Sequence, residues 1–220
     1  MAKDSDANQT GSGAAPAFRG PRRPEGAPVG PEAVRRAILD AACELFASNG
    51  IDRTSLRQIA DRANVNASLI SRYIGPRDAL LAAVLDDLGE RIAEEIAVDP
   101  TRQHSFDPDS PGVRWARILA QVAVTNDFPP TSSTPHPVQA LARGIQATFG
   151  IDERSARIRA AHLLASALGW RIFETYLVSN GDFDDVPIDE LRDHVSGALQ
   201  HLATLPVEAT PRRDRAARAE

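Results

Sequence analysis

The stretch LRQIADRANVNASLISRYI, residues 56–74, decides the fold of the first part of the chain. Its apolar residues fall at helical spacing in two short groups, with a break in the period around Asn64. Two short helices that cross steeply leave room for only a small side chain where they touch, and Ala60 supplies it. The tight turn needs a residue that tolerates a positive φ, for which Asn64 is the best choice after glycine. The stretch therefore predicts a helix-turn-helix.

The second helix of this motif has an inner and an outer side. Val65 is expected to plug the turn from inside, and Ile70 to anchor the helix to a small core. The opposite side then projects outward, as it does in proteins that place such a helix in the major groove of DNA. The residues offered on that side are Ala67, Ser68, Ser71 and Arg72.

Helical spacing also covers most of the remaining chain. A first helix is expected from Pro31, which suits a first helical turn, to the stop at Asn49-Gly50. A short helix follows Thr54 or Ser55, either of which can cap it, and a third runs from about Ala67 to Tyr73. The later helices are predicted at about 77–98, 113–126, 135–149, 152–180 and 187–204. Because no segment alternates convincingly like a strand, the predicted fold is all-α.

The two ends of the chain differ in composition from its middle. Residues 1–30 are rich in Gly, Pro, Ala and Ser and cannot bury enough surface to offset their ordering entropy, so they are predicted to be a disordered arm. Arg19, Arg22 and Arg23 give this arm positive charge that can reach phosphates or a minor groove; the alternative is a merely solvated tail. A disordered tail is expected over 207–220.

Composition limits the class of protein. The chain has 220 residues, is 42% hydrophobic and carries a formal net charge of -5, with its acidic excess after residue 80. DNA would therefore be bound within residues 1–80, by a few placed contacts rather than a broad basic field. No membrane-spanning run or signal peptide is apparent, which predicts a cytoplasmic protein. The single cysteine, Cys43, is expected in the core.

The sequence offers no site for catalysis. It has no glycine-rich phosphate loop, no nucleophile elbow and no Cys–His pair, so the protein is predicted not to be an enzyme and to need no cofactor. Its five histidines lack the spacing and the acidic or thiol partners of a metal site.

Residues around the helix-turn-helix carry a family resemblance. The segment RAILDAACELF at 36–46, Gly50, Thr54, Ile59-Ala60 and GPRDALL at 75–81 resemble the DNA-binding domain of tetracycline-repressor (TetR) regulators over roughly 33–85. The resemblance implies a three-helix DNA-binding domain at 31–78 and a larger helical effector-binding and dimerisation domain at 79–206. It implies a homodimeric repressor, released from a palindromic operator by a small apolar or amphipathic ligand. The alternative is a ligand-independent regulator or an activator that acts through a protein partner.

The same resemblance assigns roles to residues. Arg57, with Thr54 or Ser55, is implied to contact the DNA backbone, and Arg77 stands where a phosphate-binding lysine is usual. Ser71 replaces a backbone-contacting tyrosine, and Tyr73 can take part of that role. Base reading would fall to Ala67, Ser68, Leu69, Arg72 and Tyr73.

The second half is predicted to hold a dimer interface and a ligand cavity. Small residues recur at helical spacing between 156 and 178 and can pair with the apolar face of the last helix. With the four-helix dimer interface that the resemblance implies, this pattern predicts an interface containing Ala165, Gly169, Val195, Leu199 and Leu202. The alternative is a stripe buried within one chain. Larger or polar-tipped residues that can line a cavity, or simply pack in a core, are Trp115, Phe128, Gln139, His162, Trp170 and Phe173.

Overall fold

Eight α-helices and no strands make up the residues that the computed structural model describes, which are 26–98, 106–125 and 136–204. Their bounds are α1 Pro31–Asn49, α2 Leu56–Arg62, α3 Ala67–Tyr73, α4 Arg77–Val98, α5 Pro111–Thr125, α6 Pro137–Phe149, α7 Glu153–Asn180 and α8 Ile188–Thr204. The predicted all-α class is confirmed. The C-terminal tail and all but the last five residues of the predicted N-terminal arm lie outside the described residues.

Prolines explain where two of the helices begin. α5 starts at Pro111 and α6 at Pro137, each within two residues of the predicted start. His136, which precedes Pro137, has φ -66 and ψ 145 because a residue before proline avoids the helical region. The start predicted at 135 is therefore two residues too early in the chain, since α6 begins at the second proline of the Pro135-His136-Pro137 run.

One buried apolar cluster joins α1 to the four helices that follow it. Ile38 and Phe46 of α1, Ile59 of α2 and Ile70 of α3 are fully buried in it. The cluster continues without a break into Leu80 and further residues of α4, and into Trp115 and Ile118 of α5. Cys43 is a buried member, in line with its predicted core position. The domain boundary at 78 stays a prediction, because the packing runs across it.

A second buried cluster holds the C-terminal helices together. Leu141 and Ile145 of α6 pack with Ala160 and Leu163 of α7 and with Leu199 of α8. The buried alanines of α7 let α6 approach closely, since they present no side chain beyond Cβ. None of the helices in the described ranges is long and apolar enough to cross a membrane.

Charged pairs on the surface join α1 to α4. Arg36 lies 2.6 Å from Asp87 of α4, and Arg91 of α4 lies 2.6 Å from Asp40 of α1 and 2.8 Å from Asp87. An isolated exposed ion pair contributes little to stability. Four charged groups share these contacts, so the network contributes more than one such pair. It holds α4 alongside α1.

Candidate nucleic-acid interface

The start of α2 is built from Ser55 and Gln58. The hydroxyl of Ser55 accepts a hydrogen bond from the main-chain nitrogen of Gln58 at 3.2 Å, and the Gln58 side chain accepts one from the nitrogen of Ser55 at 2.8 Å. This reciprocal capping box satisfies two donors that a helix start otherwise leaves unpaired. Ser55 is therefore the cap, and it remains exposed.

The side chain of Thr54 is buried beside the start of α2. It is 1% exposed, and its hydroxyl donates towards the main-chain oxygens of Gly50 at 2.8 Å and Leu45 at 3.2 Å. A buried hydroxyl needs such partners, because it loses its hydrogen bonds to water on folding. The burial of Thr54 gives no support to its predicted contact with the DNA backbone, and of the Thr54 and Ser55 pair only Ser55 faces outward.

The turn between α2 and α3 has the predicted conformation. Asn64 has φ 54, in the left-handed region that asparagine tolerates better than most residues. The main-chain nitrogen of Val65 donates to the oxygen of Ala60 at 3.0 Å, so the chain reverses tightly behind α2. Ala60 is buried where the two helices meet, as its size predicts.

The helix α3 presents one side to solvent. Asn66 caps it, since its side-chain oxygen accepts hydrogen bonds from the nitrogen and the hydroxyl of Ser68 at 2.9 and 2.8 Å. Ile70 is fully buried beneath it, as predicted, while Leu69 and Tyr73 are half-buried against the core. The exposed residues of α3 are Ala67, Ser68, Ser71 and Arg72. These are the four that the sequence places on the outer side.

Arg57 and Arg72 extend from this surface with few internal partners. The side chain of Arg57 is 89% exposed, and its nearest carboxylate oxygen, on Asp61, lies 4.0 Å away. Arg72 is exposed, with its guanidinium 5.6 Å from the ring centroid of Tyr73. Both guanidinium groups can therefore reach an anion outside the protein.

The guanidinium of Arg77, which is predicted to bind a phosphate, is hydrogen-bonded within the chain in this structure. Its Nη1 donates to the main-chain oxygen of Thr54 at 2.6 Å, its Nη2 donates to the oxygen of Ile51, and its guanidinium lies 5.8 Å from the ring centroid of Phe46. The group is therefore turned inward, towards two carbonyl oxygens of the loop before α2. In this structure Arg77 joins α4 to that loop.

Of the six residues predicted to line a cavity, the five that the structure describes do not line one common cavity. Trp115 is 5% exposed in the first core cluster, with its ring edge-on to His136 at 6.2 Å. Gln139 and His162 are exposed on the surfaces of α6 and α7. Phe128 lies outside the described residues. The common cavity proposed from the sequence is therefore not formed by these side chains.

Trp170 and Phe173, also predicted for the cavity, lie instead beside residues predicted for the dimer interface. Together they form what we call the α7–α8 face, a shallow groove of about 380 Å³ lined by Ser166, Gly169, Trp170, Phe173, Tyr176, Leu177, Val195, Ala198, Leu199 and Leu202. Phe173 is 55% and Tyr176 65% exposed on it. Ala165 is exposed next to Ser166, whereas Leu199 is already buried within the chain.

Tyr176 and Leu177 line this face but were not among the residues predicted for the dimer interface. A usable signal was present, because Trp170, Phe173 and Tyr176 recur every three residues and so follow one side of a helix. Glu174 supports this face from its edge, since its carboxylate accepts hydrogen bonds from Trp170 Nε1 at 2.9 Å and Arg192 Nη2 at 2.7 Å.

Comparison with known proteins supports the family resemblance seen in the sequence. Residues 38–84 match the family model described as bacterial regulatory proteins of the tetR family. The chain is 35% identical to the HTH-type transcriptional repressor Rv3405c of Mycobacterium tuberculosis over 181 residues, which cover 80% of this chain and 92% of that protein. The HTH-type transcriptional regulator BetI of Burkholderia mallei is 28% identical over 93 residues, 42% of this chain and 46% of that protein.

Two solved structures share the fold. A TetR-family transcriptional regulator from Mesorhizobium loti aligns with a TM-score of 0.54 and 16% identity, over 79% of this chain and 96% of that one. A transcriptional regulator from Rhodococcus sp. Rha1 aligns with a TM-score of 0.50 and 20% identity, over 81% of this chain and 100% of that one. At these identities the likeness concerns the fold alone.

Proposed function

Since this chain belongs to the TetR family of bacterial transcriptional regulators, we propose that it is a repressor that binds a palindromic operator as a homodimer. A small apolar or amphipathic ligand releases it from that operator. We propose repression rather than activation because the 35% identical relative from Mycobacterium tuberculosis is named a repressor. The exposed side of α3 is the observation that carries the proposal.

The exposed side of α3 has the size and chemistry to read a major groove. Ala67, Ser68 and Ser71 are small, so the helix axis can approach the base edges closely. Arg72 is the long side chain on that side, and a guanidinium can donate two hydrogen bonds to the O6 and N7 atoms of guanine. The methyl group of Ala67 suits contact with a thymine methyl. We assign base recognition to this side of α3.

Phosphate binding falls to groups on either side of α3. Arg57 is almost fully exposed on α2, and its loose 4.0 Å pairing with Asp61 is easily exchanged for a phosphate. Ser55 and Ser71 expose hydroxyl groups that can donate to phosphate oxygens. These contacts set the register of the protein on the duplex and are insensitive to base sequence.

The α7–α8 face supplies the dimer contact. Large apolar side chains are costly to leave in water, and Phe173, Tyr176, Ile172 and Leu177 are all exposed at neighbouring positions of α7. A Cβ added at Gly169 would meet nothing within 4 Å, so this part of α7 is open to a partner. A second copy related by a two-fold axis would place α7 and α8 of both chains in a four-helix arrangement.

The α7–α8 face also bears on the alternative that the small-residue stripe is buried within one chain. Ala156, Ala160 and Ala167 of α7 are buried against the second core cluster, whereas Ala165 and Ser166 are exposed. The small residues of α7 therefore serve two sides of the helix. One side packs within the chain, and the other is available to a partner.

The proposal that a ligand releases the protein from its operator rests on family membership. One observation favours the ligand-independent alternative: Trp115 is in the core, while Gln139 and His162 are exposed, so the residues first proposed for a cavity do not enclose one. Both functions use the same DNA-binding surface and dimer, and they differ only in whether a small molecule changes operator affinity.

The DNA-binding part is tested by selecting duplexes from a random-sequence library with the purified protein. We expect an imperfect palindrome whose half-sites lie about one helical turn apart or somewhat more, protected from cleavage over both halves. If the protein prefers no duplex over random DNA, the assignment as a sequence-specific regulator is wrong.

The ligand part is tested with a panel of apolar and amphipathic compounds on the complex with the selected duplex. A compound that raises the melting temperature of the protein and releases the DNA supports the sensor. If no compound across the panel has either effect, the ligand-independent regulator replaces it.

A further inference from the structure

The side chain of Gln121 on α5 reaches the loop that connects α1 to α2. Its Oε1 accepts a hydrogen bond from the main-chain nitrogen of Ile51 at 2.7 Å. Its Nε2 donates to the main-chain oxygens of Phe46 at 3.2 Å and Arg117 at 3.1 Å. The amide thus uses its oxygen and both of its hydrogens, which defines its orientation completely.

Ile51 is held from two sides. Its nitrogen donates to Gln121 of α5, and its oxygen accepts from Arg77 of α4. The same oxygen accepts from the nitrogen of Thr54 at 3.2 Å, which closes the loop. Residues from the two helices that follow the helix-turn-helix therefore meet on one residue of the loop that leads into it.

This loop sets where the helix-turn-helix begins. Thr54 at its end is anchored to Gly50 and Leu45, and the next residue, Ser55, is the cap of α2. A shift of Ile51 is therefore passed to the start of α2, and through the tight turn at Asn64 to α3.

The apolar contacts between α5 and the helices of the first cluster do not fix this arrangement alone. Trp115 and Ile118 pack against the cluster, but hydrophobic contact is non-directional and tolerates small rotations of one surface over another. Hydrogen bonds lose strength steeply with misalignment. The bonds of Gln121 therefore add a directional constraint to the contact between α5 and the loop before α2.

We propose that Gln121 is a positioning residue for operator recognition, which holds α1–α3 at the angle to α5 that determines the half-site spacing the dimer accepts. Gln121 does not contact DNA in this proposal; it acts through Ile51 and the start of α2. The inference rests on the proposed binding of a palindromic operator by a homodimer.

The test uses Gln121→Met in the full chain, with Gln146→Met as its matched control. Methionine has nearly the same length and volume as glutamine but cannot make these hydrogen bonds. Gln146 is an exposed residue of α6, where the same change removes no contact to the loop. Circular dichroism and sedimentation establish that both variants are folded dimers before DNA is added.

Binding is measured to the duplex selected by the wild type, to the same duplex with one base pair inserted or removed between its half-sites, and to random DNA. Gln121→Met is expected to bind the selected duplex about tenfold more weakly, as for the loss of one or two hydrogen bonds. It should discriminate less between the three spacings and leave binding to random DNA unchanged. Gln146→Met should behave as the wild type does. A Gln121→Met protein that keeps the wild-type spacing preference overturns the inference.

Hydrogen exchange of the Ile51 amide gives a readout that does not depend on DNA. We expect exchange at least about tenfold faster in Gln121→Met than in the wild type or Gln146→Met, because the amide loses its acceptor. Unchanged exchange would refute the role of Gln121 in holding the loop. If the wild type selects no duplex, the proposed function fails, and the exchange result still decides whether Gln121 holds Ile51.

Discussion

The Nη1 atom of Arg77 lies 2.6 Å from the main-chain oxygen of Thr54, so the first residue of α4 is bonded to the last residue before the cap of α2. The second terminal nitrogen of the same guanidinium donates to Ile51. One charged group thus satisfies two carbonyl oxygens of a partly buried loop. The positive charge at position 77 stabilises the helix-turn-helix from within.

Replacing Arg77 with alanine should therefore reduce stability. We expect the free energy of unfolding to fall by about 1–3 kcal/mol, the cost of leaving a buried acceptor without its donor. Chemical denaturation followed by circular dichroism measures it. Arg57→Ala is the control, because that side chain is exposed and should leave stability nearly unchanged. If Arg77→Ala keeps its stability and instead lowers the salt dependence of DNA binding by about one phosphate contact, Arg77 binds phosphate after all.

Arg57 is predicted to contact a phosphate. Arg57→Ala should weaken binding to the selected duplex and to random DNA by similar factors, since a phosphate contact carries no sequence information. The slope of log affinity against log salt should become shallower by about one unit. Titrations at several salt concentrations measure both effects. Equal slopes for the variant and the wild type would remove Arg57 from the interface.

Arg72 is predicted to read a base. Arg72→Ala should cost about 1–3 kcal/mol on the selected duplex, the value of one good bidentate contact, while binding to random DNA changes much less. Repeating the duplex selection with the variant should show relaxed preference at one position in each half-site. A uniform loss on all duplexes would instead make Arg72 a phosphate contact.

A substitution at Gly169 tests the proposed dimer interface. A glutamate there has space within the chain, because a Cβ added at Gly169 meets nothing within 4 Å, but it puts a charge into the apolar α7–α8 face. Gly169→Glu should give folded monomers by sedimentation, with weaker operator binding. Gly197→Glu is the matched control, since Gly197 is equally open but does not line the groove. A Gly169→Glu protein that remains a dimer would exclude this face as the interface.

Glu174 predicts a pH dependence of stability. The hydrogen bonds from Arg192, and after them the bond from Trp170, hold the pKa of Glu174 below its ordinary value of 4.5, although partial burial opposes the shift. Its contribution is therefore fully present above pH 4.5 and is lost as the pH falls through the lowered folded-state pKa. Glu174→Gln should be less stable than the wild type at neutral pH, and the difference should shrink in acid.

Denaturation at fixed protein concentration from neutral pH to below pH 4 measures this difference. Asp193→Asn, at an exposed position of α8, provides the comparison. A gap between Glu174→Gln and the wild type that stays constant over the whole range would show that the carboxylate charge has no such role.

Much of the local structure could be predicted from neighbouring residues. Pro31 and Gly50 mark the two ends of α1, and Asn64 adopts the positive φ that the turn requires. Ile70 is buried, and the residues expected on the outer side of α3 are exposed. Each of these features depends on residues within about one helical turn, so the order of residues along the chain is sufficient to reveal it.

Assignments in the second half were less reliable for a physical reason. Trp115, Trp170 and Phe173 are all large and apolar, and such residues suit a core, a cavity or an interface equally well. Trp115 of α5 is buried in the first core cluster. Phe173 remains exposed, because the packing of α7 against α6 and α8 leaves its side of α7 uncovered. Helical spacing defines a side of a helix but not what covers it.

By itself the sequence determined the helices, the turn at Asn64 and the side of α3 that is exposed to solvent. The tertiary structure alone decided that Arg77 turns inward, that the α7–α8 face remains open and that Gln121 holds Ile51. The physical reason is the distance along the chain: Arg77 bonds to an oxygen 23 positions away, and Gln121 to groups 70 and 75 positions away. Side chains bond to the partners that packing brings within about 3 Å, and the spacing of residues in the sequence does not specify those partners.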